Sequence, residues 1–134
     1  MTVKTKEPVM TKIFGPALIV AACCTMSAPA PAQTQSAMNA TATNAAKAAD
    51  QALNTQYRAT ASKLSPASRT ALRDAQRSWV GFRDQECKFA SSGVKGGSAY
   101  PMVYAGCLKR LSDDRTRQLK TYANCQEGDL SCPR

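Results

Sequence analysis

The sequence predicts an all-α fold, a small antiparallel three-helix bundle stapled by disulfides, on three observations. Hydrophobic residues make up 43% of the chain but aromatics only 6%, and alanine supplies much of the apolar content, a composition suited to thin, closely packed helices. Apolar side chains recur at separations of three and four along three successive stretches, the helical period. Six cysteines accompany what reads as an export signal, which points to an oxidising compartment and structural bridges rather than reactive thiols. A length of 134 residues suits one small domain and leaves no room for a second core. Histidine is absent, which excludes a Ser-His or Cys-His catalytic unit and any His-ligated metal. No metal site and no cofactor is implied, and the chain is not expected to be an enzyme.

Residues 1–32 carry Lys4, Lys6 and Lys12, then the apolar run at residues 13–22, then small residues ending Ala28-Pro29-Ala30-Pro31-Ala32. This is the order of a secretory signal peptide. The run is too short to span a bilayer and contains Pro16, so no transmembrane segment is expected. Val20-Ala21-Ala22-Cys23 also fits a lipoprotein cleavage box, with Cys23 as the lipidated first residue. Cysteine parity favours cleavage after Ala32, because it removes Cys23 and Cys24 together and leaves an even set, whereas lipidation strands Cys24.

Residues 33–42 are polar, rich in Ala, Thr, Ser and Asn, and without apolar period; they read as a flexible leader to a helical domain at residues 43–134. In the first helix, from about Thr43 to Leu64, Ala46, Ala49, Leu53, Tyr57 and Leu64 share a face. Ser65 then supplies an N-cap with Pro66 at the first helical position. In the second helix Leu72, Ala75, Trp79, Phe82 and Phe89 form a seam of period near 3.5, and Arg69, Arg73 and Arg77 make a basic outer stripe at i, i+4 and i+8. Three glycines within Gly93-Val94-Lys95-Gly96-Gly97 break the helix. Ser98 is a candidate cap for the third helix, with Pro101 in its first turn and an inward stripe of Tyr104, Leu108, Leu111, Leu119 and Tyr122, ending near Cys125. Short connections make neighbouring helices antiparallel. Four cysteines allow three pairings; an antiparallel hairpin across the glycine loop favours Cys87 with Cys107, which leaves Cys125 with Cys132.

The motifs Leu53-Asn54-x-x-Tyr57, Leu72-Arg73-x-Ala75-Gln76-x-x-Trp79-x-x-Phe82-Arg83-Asp84-x-x-Cys87, Gly96-Gly97-Ser98 and Cys107-Leu108-x-x-Leu111-Ser112-x-x-Arg115-x-x-x-Leu119 together resemble the LprI-like family of exported bacterial lysozyme inhibitors, over about residues 38 to 122. The resemblance implies a small helical periplasmic or surface domain, sometimes lipid-anchored, with no known enzymatic activity and lysozyme as the suspected partner. The chain departs from the family at Ala40, where members often carry a further cysteine, and at Ser112, where threonine is more usual.

The glycine-rich loop is the candidate recognition element, through Ser92, Lys95, Gly96, Gly97 and Ser98, because it carries one cation and is pinned at both ends by the expected bridge. A lysozyme works with two carboxylates flanking the scissile bond, which an ammonium and a serine hydroxyl on a narrow loop can satisfy. The plainer reading is that the glycines only permit a tight helix connection. Gln76, Trp79, Arg83 and Asp84 are expected as a structural motif tying the helices together. The alternative binding face is Arg69, Arg73 and Arg77, directed at anionic cell-wall or membrane components. That alternative gains weight from charge, since animal-type lysozymes are themselves basic and this chain carries net +9. No nucleic-acid partner is indicated, since no aromatic interleaving or recognised binding module occurs. The intact mass of the exported protein should correspond to cleavage after Ala32, and a diacylated amino-terminal Cys23 would overturn this.

Overall fold

The computed structural model describes residues 34–126 and 128–133. The expected signal peptide, with Cys23, Cys24 and Ala32, and Gln33 of the expected leader lie outside the described residues. Three α-helices follow in order: α1 over Gln35–Ala61, α2 over Pro66–Ala90 and α3 over Tyr100–Ala123, with a short 3₁₀ turn at Ser92–Val94 between the last two. Among the described residues no helix is long and apolar enough to cross a membrane.

α1 begins well before the expected Thr43, so the expected leader is its first two turns. Thr34 caps it, with the hydroxyl accepting from the Ala37 N–H, and the alanine-rich stretch that follows has high intrinsic helix propensity. Asn39 then donates its amide to the Ser98 carbonyl at 2.9 Å. These turns carry no apolar period because they pack through small size, with Ala42, Ala45 and Ala46 half-buried. At its far end α1 stops at Ala61, and Arg69 reaches back to donate to the carbonyls of Ala61 and Leu64 at 3.0 and 3.1 Å. α2 starts as the sequence predicts, with the Ser65 hydroxyl accepting from the Ser68 N–H and Pro66 in the first turn.

Three hydrogen bonds fix the arrangement. Asn39 meets Ser98, the Thr60 hydroxyl donates to the Leu119 carbonyl at 3.0 Å, and the Lys63 ammonium donates to the Ala123 carbonyl at 2.9 Å. The sequence offset is 59, 59 and 60, so α1 and α3 run parallel in constant register with α2 antiparallel to both. Small residues let α1 and α3 approach closely: Ala49 and Thr60 on one side, Ala105 and Ser112 on the other, all buried. Leu53 and Leu119, 1% and 0% exposed, centre a core completed by Ala61, Leu64 and Leu72, against which Tyr57, Trp79 and Tyr122 pack.

The expected seam of α2 is overturned at Ala75, Phe82 and Phe89. Leu72 is buried and Trp79 half-buried, but Ala75 is exposed and Phe82 and Phe89 are 56% and 75% exposed. The disulfide between Cys87 and Cys107 explains this. It turns the Cys87 side of α2 toward α3, and Phe89, two residues on, lies about 200° around the helix at about 100° per residue. A 3.5-residue seam also drifts about 20° per heptad around a straight helix.

The entry to α3 differs too. Ser98 is not its cap: Ala99 occupies that position with no side-chain bond. The Tyr100 N–H is already taken by the Gly97 carbonyl at 3.1 Å, and Pro101 brings no N–H to satisfy. The second disulfide joins Cys125 and Cys132. Loop-closure entropy assigns about 3 kcal/mol to the bridge spanning 20 residues and about 2.5 kcal/mol to that spanning 7. Because the apolar core is small, emptying its centre is costly. Leu119→Ala should lower unfolding stability by about 3 kcal/mol, measured by urea denaturation with both disulfides intact; an unchanged midpoint would show that Leu119 does not carry the core.

Candidate functional site

The loop between α2 and α3 is a wound turn. Ser91 is fully buried, its hydroxyl donating to the Cys87 carbonyl at 2.7 Å. The backbone then winds through bonds from Val94 to Ser91, Lys95 to Ser92 and Gly97 to Val94, each 3.0 or 3.1 Å. Gly96 takes a φ of +83°, a conformation that side chains with a Cβ disfavour. At Gly97 a Cβ would come within 3.2 Å of the Val94 carbonyl oxygen. The turn thus favours glycine at 96 by its backbone conformation, and at 97 a side chain would crowd the Val94 carbonyl. Ser92, Lys95, Gly96, Gly97 and Ser98 all lie exposed on it. The Lys95 ammonium has no ionic partner among the described residues. The Cys87–Cys107 bridge holds one side of the turn and Asn39 holds the Ser98 carbonyl on the other.

Beneath the loop, polar side chains join the three helices. Arg83 of α2 donates to Asp50 of α1 at 2.8 Å and to the Ser112 hydroxyl of α3 at 3.2 Å, and pairs with its neighbour Asp84 at 3.0 Å. Its guanidinium lies 5.4 Å from the Trp79 ring centre. Arg115 of α3 approaches the same ring to 5.8 Å and donates to Gln76 of α2 at 2.9 Å, and to Gln118. Trp79 therefore contacts two cations. Burial pulls the Arg83 pKa down, but the hydrogen bonds and charges of Asp50 and Asp84 outweigh it and hold the value above the ordinary one. Arg115 has only amide partners, so burial prevails and lowers its pKa. Gln76, Trp79, Arg83 and Asp84 are brought together here, with their contacts directed into the bundle.

Asp50, Ser112 and Arg115 complete this set and were not singled out as site residues from sequence. A signal for two of them existed: Asp50 is the one acidic residue between Thr34 and Leu64, and Arg115 interrupts the inward stripe of α3 between Leu111 and Leu119.

Two hollow regions flank the seam. A groove of about 620 Å³ between α1 and α3 is lined by Ala46, Asp50, Arg83, Tyr104 and Leu108, with Tyr100 stacked on Tyr104 at 5.8 Å. Burial raises the Tyr104 pKa, and the Asp84 charge and Tyr100 add to it while Arg83 opposes. The other region lies between α1 and α2, where Arg73 and Arg77 remain exposed as the basic stripe requires. Arg69 leaves that stripe, because its guanidinium is committed to the carbonyls closing α1.

The described residues form a disulfide-bridged three-helix bundle with a pinned loop between α2 and α3. Over residues 24–119 the chain matches the family described as lysozyme inhibitor LprI, and it belongs to that family. It is 35% identical over 128 aligned residues to an uncharacterised protein of Rhizobium meliloti (strain 1021), covering 78% of this chain and 91% of the relative. No solved structure matches the chain.

The seam gives a testable number. Arg83→Met removes hydrogen bonds from a charged group to two other helices, and should lower unfolding stability by about 2 kcal/mol. Arg83→Lys should recover less than half, since one ammonium lacks the fork that reaches Asp50 and Ser112 together. Equal stability of all three proteins in urea would refute the cross-link.

Proposed function

We propose that this protein is exported, binds lysozyme and blocks its cleft with the turn at residues 91–98. The observation that carries the reading is Lys95, an exposed cation without an ionic partner among the described residues, on a turn whose backbone is wound by its own hydrogen bonds and held on both flanks. Such a turn loses little conformational freedom on binding. Inserted between the two carboxylates of a lysozyme, the Lys95 ammonium pairs with them in a desolvated cleft, with Ser92 and Ser98 supplying hydroxyls at the rim. Family membership supports the partner, since the family is described as lysozyme inhibitors. Export with removal of residues 1–32 places the domain in the periplasm or outside the cell; a lipid anchor at Cys23 is the alternative.

The distribution of charge lessens the objection raised by the net charge. Toward the loop end, Lys47, Arg83, Lys88, Lys95, Lys109 and Arg110 stand against Asp50, Asp84, Glu86 and Asp113, a net charge of +2. Toward the opposite end, Arg58, Lys63, Arg69, Arg73, Arg77, Arg115, Arg117 and Lys120 stand against Asp74, Asp114 and Asp129, a net charge of +5 among the described residues. A basic lysozyme therefore meets the less basic end of the molecule.

Lys95→Ala should weaken lysozyme inhibition by about 2 to 4 kcal/mol, because it leaves the lysozyme carboxylates buried without a partner, and Lys95→Glu should weaken it further. Neither should change thermal unfolding, since Lys95 lies on the exposed turn. Inhibition constants for these variants beside Arg73→Glu with Arg77→Glu decide the surface. A loss confined to the arginine pair would transfer the site to α2 and end the loop reading.

A further inference from the structure

The groove between α1 and α2 consists of two adjoining hollows of about 360 Å³ each, which share Tyr57 and Arg73. Arg58 and Arg69 line the first, Arg77 and Gln76 the second, and no carboxylate lines either. Arg69 is spent on the end of α1. The other three guanidiniums are poorly compensated. Arg58 touches only the Thr55 hydroxyl, at 3.5 Å, and Arg77 has no ionic partner among the described residues. Arg73 meets Asp74 at 3.4 Å with both side chains more than half exposed, a surface pairing that contributes little. Cations held along one groove repel each other, and a ligand with several negative charges relieves that repulsion at every position.

We propose that this groove binds an extended phosphate chain running along α2. Arg73 and Arg77 stand about 6 Å apart along the helix axis, four residues at 1.5 Å each, so they meet successive charges of a linear polyanion. Arg58 stands on the opposite wall, supplied by α1. A tetrahedral phosphate offers oxygens in several directions and accepts guanidinium forks from both walls, whereas a planar carboxylate is matched by a single fork. Tyr57, Asn54 and Gln76 line the groove between these cations and supply neutral hydrogen-bond donors. Two adjoining hollows of about 360 Å³ each suit a single extended chain laid along them. This site lies at the end of the bundle away from the 91–98 turn and does not depend on the lysozyme reading.

Linear inorganic polyphosphate is the probe, titrated against the exported protein at several salt concentrations. Binding should weaken steeply with salt. Arg73→Glu with Arg77→Glu should reduce affinity about tenfold or more, Arg58→Glu should reduce it from the opposite wall, and the milder Arg77→Gln should lower the slope of log K against log salt by about 1. A control reversal outside the groove, Lys88→Glu with Arg110→Glu, changes net charge equally and should leave affinity within about twofold, the margin that separates a sited charge from a diffuse one. Thermal unfolding of each variant verifies folding, and Arg77→Gln preserves the test if a double reversal does not fold. Lysozyme inhibition by the Arg73 and Arg77 variants should be retained, which separates this site from the loop. Equal losses for the groove and control reversals would reduce the effect to net charge and overturn the proposal. So would polyglutamate binding as tightly as polyphosphate, or binding to phosphatidylglycerol vesicles with none to soluble polyphosphate.

Discussion

The disulfide between Cys87 and Cys107 decides which side of α2 faces the rest of the bundle. A helix of this kind carries both apolar and polar side chains all around its second half, and hydrophobicity alone would turn Phe82 and Phe89 inward. The bridge holds the two Cα atoms 5.5 Å apart and so turns the Cys87 side of α2 toward α3. Arg83, one turn earlier on that side, then lies within reach of Asp50 and Ser112. The same bond closes the base of the turn that begins at Ser91. One covalent constraint thus sets the rotation of α2, the composition of the polar seam and the anchoring of the loop.

The seam answers a second constraint. α1 and α3 pack closely through alanine, serine and threonine, which leaves little apolar surface for α2 to bury. Besides Leu72 and the Cys87 bridge, α2 is joined by Trp79, by the Gln76 amide oxygen accepting from Arg115 and by bonds donated by Arg83. Buried guanidiniums are costly unless satisfied. Among the described residues no buried side-chain polar atom lacks a partner. The two cations are satisfied differently, Arg83 by two carboxylates and Arg115 by amides, and their pKa values move in opposite directions as a result.

Features governed by local chemistry were legible in the sequence. Ser65 and Pro66 mark the start of α2 because capping involves only the residues beside it. The Cys87–Cys107 pairing follows from any antiparallel hairpin at the glycine loop. What sequence periodicity reports is that residues share a face; it does not report which face the tertiary structure turns inward, and Phe82 and Phe89 are the consequence. The start of α1 was hidden because Ala42, Ala45 and Ala46 pack by being small, which leaves no apolar rhythm. Arg69 keeps step with Arg73 and Arg77 along the helix, yet its reach back to Ala61 and Leu64 depends on the geometry of a turn. Gln76 and Arg83 stood out as polar groups beside the seam, but their partners Arg115, Asp50 and Ser112 lie on other helices, beyond any local pattern.

The parallel register of α1 and α3 also separates the molecule electrostatically. It gathers the amino-terminal halves of both helices at the loop end and their carboxy-terminal halves at the other, so the uneven spacing of charge along the sequence becomes a difference between the two ends. α3 has 24 residues, about 36 Å at 1.5 Å each, and charges are largely screened beyond about 8 Å at physiological ionic strength. A partner at the 91–98 turn therefore feels Lys95 and the nearby carboxylates far more than the arginines of the opposite end. Net charge is a property of the whole chain and governs its long-range behaviour at low salt. Contact chemistry is set end by end, which is why a strongly basic total says little about what the loop can bind.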